Sequence, residues 1–449
     1  MELSELTALS PADGRYRYKT QELAQFFSEY ALIKYRVMVE VEYFIALGGI
    51  GLPQMKKFTA KEQEKLRAVY LDFSVQDAKV IKQIERRTNH DVKAVEYFIK
   101  QKLVKLKLGD YKEFVHFALT SQDINNTALP LMVCDAYTMV LEPELDGIIL
   151  TLNQMANDWK EIPMLARTHG QPASPTRLGK ELFVFVERLE NQLLMVDSIP
   201  WMAKFGGATG NFNAHHIAFP KVDWIEFADN FICKLGLNRQ RTTTQVEHYD
   251  ELAAFMDGLK RVNVVLTDLC ADIWLYISMD YFRQQIKKDE VGSSTMPHKV
   301  NPLDFENAEG NLGYANAILT HLSAKLPVSR LQRDLTDSTV SRNIGVAFAH
   351  MLIALKSLSK GLGKLIINKG AIETDLDKNW AVISEAIQTI LRREGYPEPY
   401  EALKDLTRNS NLVTKSTLHT FIDKLKIKPA LKKELKAITP SGYTGICPF

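Results

Sequence analysis

Residues 292–302 read GSSTMPHKVNP. One glycine, two adjacent serines, two prolines, a histidine, a lysine and an asparagine crowd between two long helical runs. An inert loop has no need of Lys299 or Asn301. A loop that closes over an acidic substrate uses both, with small residues that expose backbone N–H groups and permit motion. The flanking sequence is periodic. Leu145, Ile148, Ile149, Leu152, Met155, Ala156 and Trp159 form one apolar helical stripe, and Leu178, Leu182, Phe185, Val186, Leu189, Leu193 and Val196 form another. Residues 251–283 contain no proline and a single glycine, Gly258, and 303–325 and 343–365 are also proline-free. A thirty-residue helix spans roughly 45 Å, which exceeds a small domain. Such helices lie together in a bundle, often one shared between subunits. No alternating strand pattern, βαβ rhythm, GxGxxG or Walker motif, or internal repeat competes with this reading. The expected fold class is all-α.

The 449 residues carry 56 Lys and Arg against 54 Asp and Glu, a formal charge of +2. That balance argues against a general nucleic-acid or membrane binder. Cys134, Cys233, Cys270 and Cys447 lie far apart and form no CxxC pair, so the expected setting is reducing and cytoplasmic. The first residues, MELSELTALSPADGRY, have neither the basic nor the apolar region of a secretory leader. The apolar stretch IGVAFAHMLIAL (344–355) is too short to span a bilayer and reads as a buried helix. The Lys-rich 424–436 run reads as a solvated helical face.

Five further polar clusters interrupt the helices. DGRYRYK (13–19) is a surface turn or an anion clamp, with Arg15 able to bind phosphate bidentately. In RTNHDVKAVEYF (87–98), Asn89, His90 and Asp91 are placed to cap the next helix, and equally offer a donor, a switchable donor and an acceptor in one turn. In HFALTSQDINNTA (116–128), Thr120 and Ser121 mark a helix start that also suits a carboxylate or phosphate. In ARTHGQPASPT (166–176), Gly170 and Pro172 constrain the turn that carries His169. RLQRDLTDSTVSRN (330–343) supplies Arg333, Ser338 and Arg342, either as solvated surface or as an arginine pair for a dianion. There is no HExxH and no GxSxG, and the adjacent His215 and His216 cannot both ligate one metal from a helix face.

The opening stretch resembles the GSSxMPxKxN signature of the fumarase/aspartase superfamily. Its MPHK form, together with DGRY, TNHD, THGQPA, TTQVE and RDLTDSTVSRN in that order, is similar to the bacterial adenylosuccinate lyase family. The resemblance covers about residues 1–440. It implies three helical parts, which turn clusters at 106–114 and 362–379 place at 1–110, 111–365 and 366–449, and a homotetramer whose pooled central helices assemble each active site from three subunits. It implies β-elimination of fumarate from adenylosuccinate, giving AMP, and from the succinyl-aminoimidazole-carboxamide ribotide of purine synthesis. Ser293 is then the base and His169 the acid. Lys299, Asn301 and loop N–H groups face the developing dianion. Arg15, Tyr16, Arg333, Ser338 and Arg342 form the phosphate side, while Asn89, His90, Asp91, Thr120, Ser121 and Gln245 hold the succinyl group and the base or ribose. Ser294, Val300, Asn307, Thr339, Val340 and Ser341 complete the implied contacts. The implied partners are small purine nucleotides, with no metal, organic cofactor, nucleic acid or membrane. A sister lyase of argininosuccinate type and a non-catalytic helical structural protein are the alternatives. The phosphate-side arginines argue against the first and the intact His169, Ser293 and Lys299 against the second.

Overall fold

The computed structural model describes residues 4–285, 295–296, 298–409 and 413–449, the side chains of 405–409 apart. Helices dominate, and the described strands are two or three residues long. The chain divides into two compact units. One comprises Met1–Leu145, Gln192–Val264 and Gly310–Lys356, the other Asp146–Asn191, Val265–Glu309 and Ser357–Phe449.

The apolar stripes become buried helix faces. Leu145, Ile148, Leu152 and Ala156 are buried on the helix Glu142–Asp158, and all seven stripe residues of 178–196 are buried on Leu178–Asp197. The stretch 344–355 lies in the buried helix Ile344–Leu362. Among the described residues, no helix is long and apolar enough to cross a membrane. The run 251–283 is the exception to a straightforward reading. Its helix is Asp250–Ser278. Asp280 then adopts a left-handed backbone (φ 60°), and the Tyr281 N–H reaches back to the Tyr276 carbonyl at 2.9 Å. This closing geometry normally falls to glycine or asparagine, so the sequence carries no plain stop. Phe282–Gln284 continues as a short strand antiparallel to Leu365–Ile367.

In the first unit, side-chain caps fix where helices begin. Ser28 accepts the Ala31 N–H at 3.1 Å and starts Glu29–Leu47. Ser74 and Asp77 exchange reciprocal bonds at the start of Val75–Thr88, as do Thr59 and Glu62 before Ala60–Leu71. Each such cap contributes about 1 kcal/mol. The core packs Tyr43 edge-on against Phe227 and Phe231, with ring centres 6.0 and 5.7 Å apart.

In the second unit, Trp380, Ile383, Ile387, Leu391, Leu418 and Ile422 build a small separate core. The Lys-rich 424–436 run begins at the last residue of the helix Lys415–Lys424 and forms the helix Pro429–Lys436. Leu425, Leu431 and Leu435 face inward there, while Lys424, Lys426, Lys428 and Lys433 stay exposed, as a solvated face should.

Candidate functional site

In the second unit, a two-stranded hairpin pairs Arg167 with Pro172 and Thr168 with Gln171. His169 and Gly170 form its two-residue tip, both left-handed with φ 53° and 73°. Two successive positive φ values are what a tight antiparallel hairpin needs. A Cβ at Gly170 would meet nothing within 4 Å, so conformation rather than space selects glycine there. The tip exposes His169. Below it, Arg167 donates to Asp375 at 2.6 Å, and the Tyr281 hydroxyl donates to the same carboxylate. These bonds tie the hairpin to the helix Lys369–Lys378.

Lys299 is exposed, with its N–H on the Met296 carbonyl at 3.0 Å, and the Val300 carbonyl accepts from Gln284 at 3.3 Å. Asn301 is half-buried just before the helix Leu303–Lys325. On that helix, Asn307 accepts from the Ser357 hydroxyl at 2.8 Å. Ser293 and Ser294 lie outside the described residues.

The remaining candidates belong to the first unit. Asn89 ends Val75–Thr88 in a left-handed conformation (φ 51°), and His90 caps the next helix, Asp91–Lys105, by accepting the Lys93 N–H on Nδ1 at 3.1 Å. The turn is therefore a cap, as its sequence allows, and it also anchors an ion-pair cluster. Arg36, 4% exposed, lies 2.8 Å from Asp91, and Arg342 lies 3.7 Å from the same carboxylate. Arg342 also pairs with Glu29 at 2.7 Å. Burial works to raise the Asp91 pKa, but Arg36, the Val92 N–H and Arg342 outweigh it and hold the carboxyl below its ordinary value.

Thr120 precedes the helix Ser121–Ala136 and donates its N–H to Asp123 at 2.8 Å. Asp123 is fully buried and also accepts from Lys204 Nζ at 2.7 Å, Gly206 N–H at 2.9 Å and Gly207 N–H at 3.1 Å. The left-handed Gly207 (φ 78°) lets the chain present consecutive N–H groups to one oxygen. Burial, aided by the nearby Arg333 charge, pushes the Lys204 ammonium below its ordinary value, against the opposing pull of Asp123. This ion pair sets the start of the helix carrying Ser121.

Gln245 lies between two loops. Its N–H meets the Gln332 carbonyl at 3.3 Å and its side-chain amide meets the Ala208 carbonyl at 3.1 Å. Arg333 donates to Ser338 at 3.3 Å on the short helix Thr336–Ser341, which also holds Thr339, Val340 and Ser341. Arg333 and Arg342 thus flank that helix with different partners, Ser338 for one and Glu29 and Asp91 for the other. Arg15 is exposed, with its guanidinium 5.8 Å from the Tyr16 ring.

Two residues after Gln245, burial pushes the Glu247 carboxyl up to about 7, with Glu251 adding to it and the Tyr249 N–H opposing. Its ordinary value is 4.5. Between those values the folded chain binds the proton more tightly than the unfolded chain does. The stabilisation is therefore complete below the unfolded value and is lost as pH rises through about 7. Wild type should lose on the order of 2 kcal/mol through this group between about pH 5.5 and 8. Glu247→Gln should lack that loss. Urea unfolding of both proteins at the two pH values measures the difference, and parallel slopes would refute the assignment.

The sequence assigns no role to Arg36, Lys204, Asp337, Glu247 or Tyr249. Arg36 and Glu40 interrupt the apolar run ALIKYRVMVEVEYF four residues apart, a signal that was legible. Lys204 offers no local signal, because its partner lies 81 positions away.

Two family models match the chain, one described as Lyase over residues 14–316 and one as Adenylosuccinate lyase C-terminal over 329–444. The chain is 59% identical over 460 aligned positions to adenylosuccinate lyase of Dictyostelium discoideum, covering 100% of this chain and 98% of that one. It is 47% identical to adenylosuccinate lyase of Escherichia coli strain K12, covering 99% and 98%. Among solved structures, fumarate lyase from Mesorhizobium sp. BNC1 shares the fold with a TM-score of 0.76 at 17% identity, over 95% of both chains. The 3-carboxy-cis,cis-muconate lactonizing enzyme from Pseudomonas putida does so with a TM-score of 0.74 at 18% identity, over 95% of this chain and 94% of that one.

Proposed function

The chain belongs to the adenylosuccinate lyase family, and from that premise we propose that it eliminates fumarate from adenylosuccinate, leaving AMP. The same chemistry extends to the succinyl-aminoimidazole-carboxamide ribotide of purine synthesis. Both reactions remove a proton from the carbon next to a carboxylate and expel a nitrogen. The proton is weakly acidic, so the developing aci-carboxylate dianion must be met by fixed donors and cations. Lys299 and Asn301 take that role. Ser293 removes the proton, its hydroxyl activated by surrounding cations and N–H dipoles. His169 protonates the departing nitrogen, a task suited to an imidazole.

One observation supports the binding assignment most directly. The Asn89–Asp91 turn, Arg342, Gln245 and the Arg333–Ser338 pair all belong to one unit and are tied by hydrogen bonds and ion pairs to neighbouring elements. Arg15, Tyr16, Arg333, Ser338 and Arg342 would hold the phosphate. Asn89, His90, Asp91, Thr120, Ser121 and Gln245 would hold the rest of the nucleotide, with Ser294, Val300, Asn307, Thr339, Val340 and Ser341 around them.

The reading carries a cytoplasmic setting, the organisation 1–110, 111–365 and 366–449, and a homotetramer with shared active sites. Exposed apolar residues on the long helices support the tetramer. Leu150, Leu194, Val264 and Tyr314 are each more than half exposed. Such residues on several bundle helices favour burial against other copies.

The test offers purified protein adenylosuccinate and argininosuccinate in parallel, without added metal, and follows fumarate. Release from adenylosuccinate alone is expected. Release from argininosuccinate alone would overturn the phosphate assignment of Arg333 and Arg342, and release from neither would overturn the lyase reading.

A further inference from the structure

A buried hydrogen-bond network lies directly behind three of the segments assigned to substrate. Gln122, next to Ser121, donates to Asp337 at 3.0 Å. Asp337, next to Ser338, also accepts from the Tyr249 hydroxyl at 3.1 Å. That hydroxyl in turn accepts from the Asn126 amide. The Asn126 carbonyl oxygen accepts the Glu247 N–H at 3.0 Å, and Glu247 accepts the Tyr249 N–H. All five residues are at most 6% exposed. None of them is itself one of the assigned contacts, yet each sits within one to five positions of one.

We propose that Tyr249 is the hub of a positioning network that holds the Thr120–Ser121 helix start, the Gln245 segment and the Arg333–Arg342 segment in mutual register for nucleotide binding. The inference rests on the binding assignment above. Its physical basis is the scarcity of donors. One oxygen each of Gln122, Glu247 and Asp337 is already buried without a hydrogen-bond partner. Deleting the Tyr249 hydroxyl takes a further donor from Asp337 and the acceptor from the Asn126 amide. The left-handed backbone at Tyr249 (φ 61°) directs the chain through this point before the helix Asp250–Ser278 begins. Losing the hydroxyl removes the side-chain bond between the Thr336–Ser341 helix and the 245–249 segment, leaving the Gln245 N–H on the Gln332 carbonyl as the remaining tie between them, and the three segments no longer share one anchor. Tyr249 acts through these neighbours and is a positioning residue.

The experiment compares wild type, Tyr249→Phe, Gln122→Met and the control Tyr35→Phe in steady-state fumarate release from adenylosuccinate and in thermal unfolding. Tyr35 also donates a half-buried hydroxyl hydrogen bond, at 2.5 Å, but to Asp135, which is not a network residue. Tyr249→Phe removes two buried hydrogen bonds, the one given to Asp337 and the one taken from Asn126, and should raise KM about tenfold, with kcat changed less than about threefold. Gln122→Met removes one bond at the edge of the network and should raise KM in the same direction by less. It keeps the proposal testable if Tyr249→Phe does not fold. Tyr35→Phe should lower the melting temperature with KM unchanged. A KM within about twofold of wild type in the folded network variants would overturn the proposal. So would an equal KM rise in the control. Inactive wild type would instead overturn the functional reading on which the proposal rests.

Discussion

His169→Asn is expected to lower kcat for adenylosuccinate by about 10²–10⁴-fold, the range for loss of a positioned general acid. Asparagine is the informative replacement because of the backbone. His169 sits at φ 53° on the hairpin tip, where alanine would add strain of its own while asparagine is tolerated. The ion pair between Arg167 and Asp375 should hold the hairpin in place, so fold and KM should change little. Steady-state kinetics across pH makes the check. The limb of the kcat profile that reports the acid should vanish together with the rate. A variant within tenfold of wild type, with that limb retained, would remove His169 from the role.

The second large effect concerns stability. Asp123→Ala should cost about 3–5 kcal/mol, because it leaves the Lys204 ammonium buried without its counter-charge. Both side chains are 0% exposed. The same change strands the N–H groups of Thr120, Gly206 and Gly207. Adding Lys204→Met to Asp123→Ala should recover part of the loss, since removing both charges costs less than isolating one. Urea unfolding of the two single variants and the double variant gives the coupling directly. A loss under about 1 kcal/mol in Asp123→Ala would mean that the pair does not hold the helix start.

What the sequence revealed follows from the range of each interaction. The stripes of 145–159 and 178–196 were legible because helical period is local, and burial followed at Leu145, Ile148, Leu152 and Ala156 of the first and at every residue of the second, while Ile149, Met155 and Trp159 are only half-buried. The capping at Thr120 and His90 was legible for the same reason. The end of Asp250–Ser278 was not, because the left-handed turn falls on Asp280 rather than on glycine. The candidate polar clusters were visible one at a time, through composition and through resemblance to a known signature. Their connections were not. Gln122 meets Asp337 across 215 positions and Lys204 meets Asp123 across 81, distances over which no periodicity carries information. The sequence leaves Arg342 as solvated surface or half of an arginine pair for a dianion, and neither choice shows that Glu29 and Asp91 engage its charge. A phosphate at Arg342 therefore competes with two carboxylates.

The cap made by His90 also decides what that imidazole can offer. Its Nδ1 is occupied as an acceptor for the Lys93 N–H, so the ring proton of the capped, neutral form resides on Nε2. The helix Asp91–Lys105 thus selects one tautomer, and a ligand placed at the Nε2 edge of that ring would meet a hydrogen-bond donor. Acting as a proton acceptor at Nδ1 would first require it to release the start of its own helix.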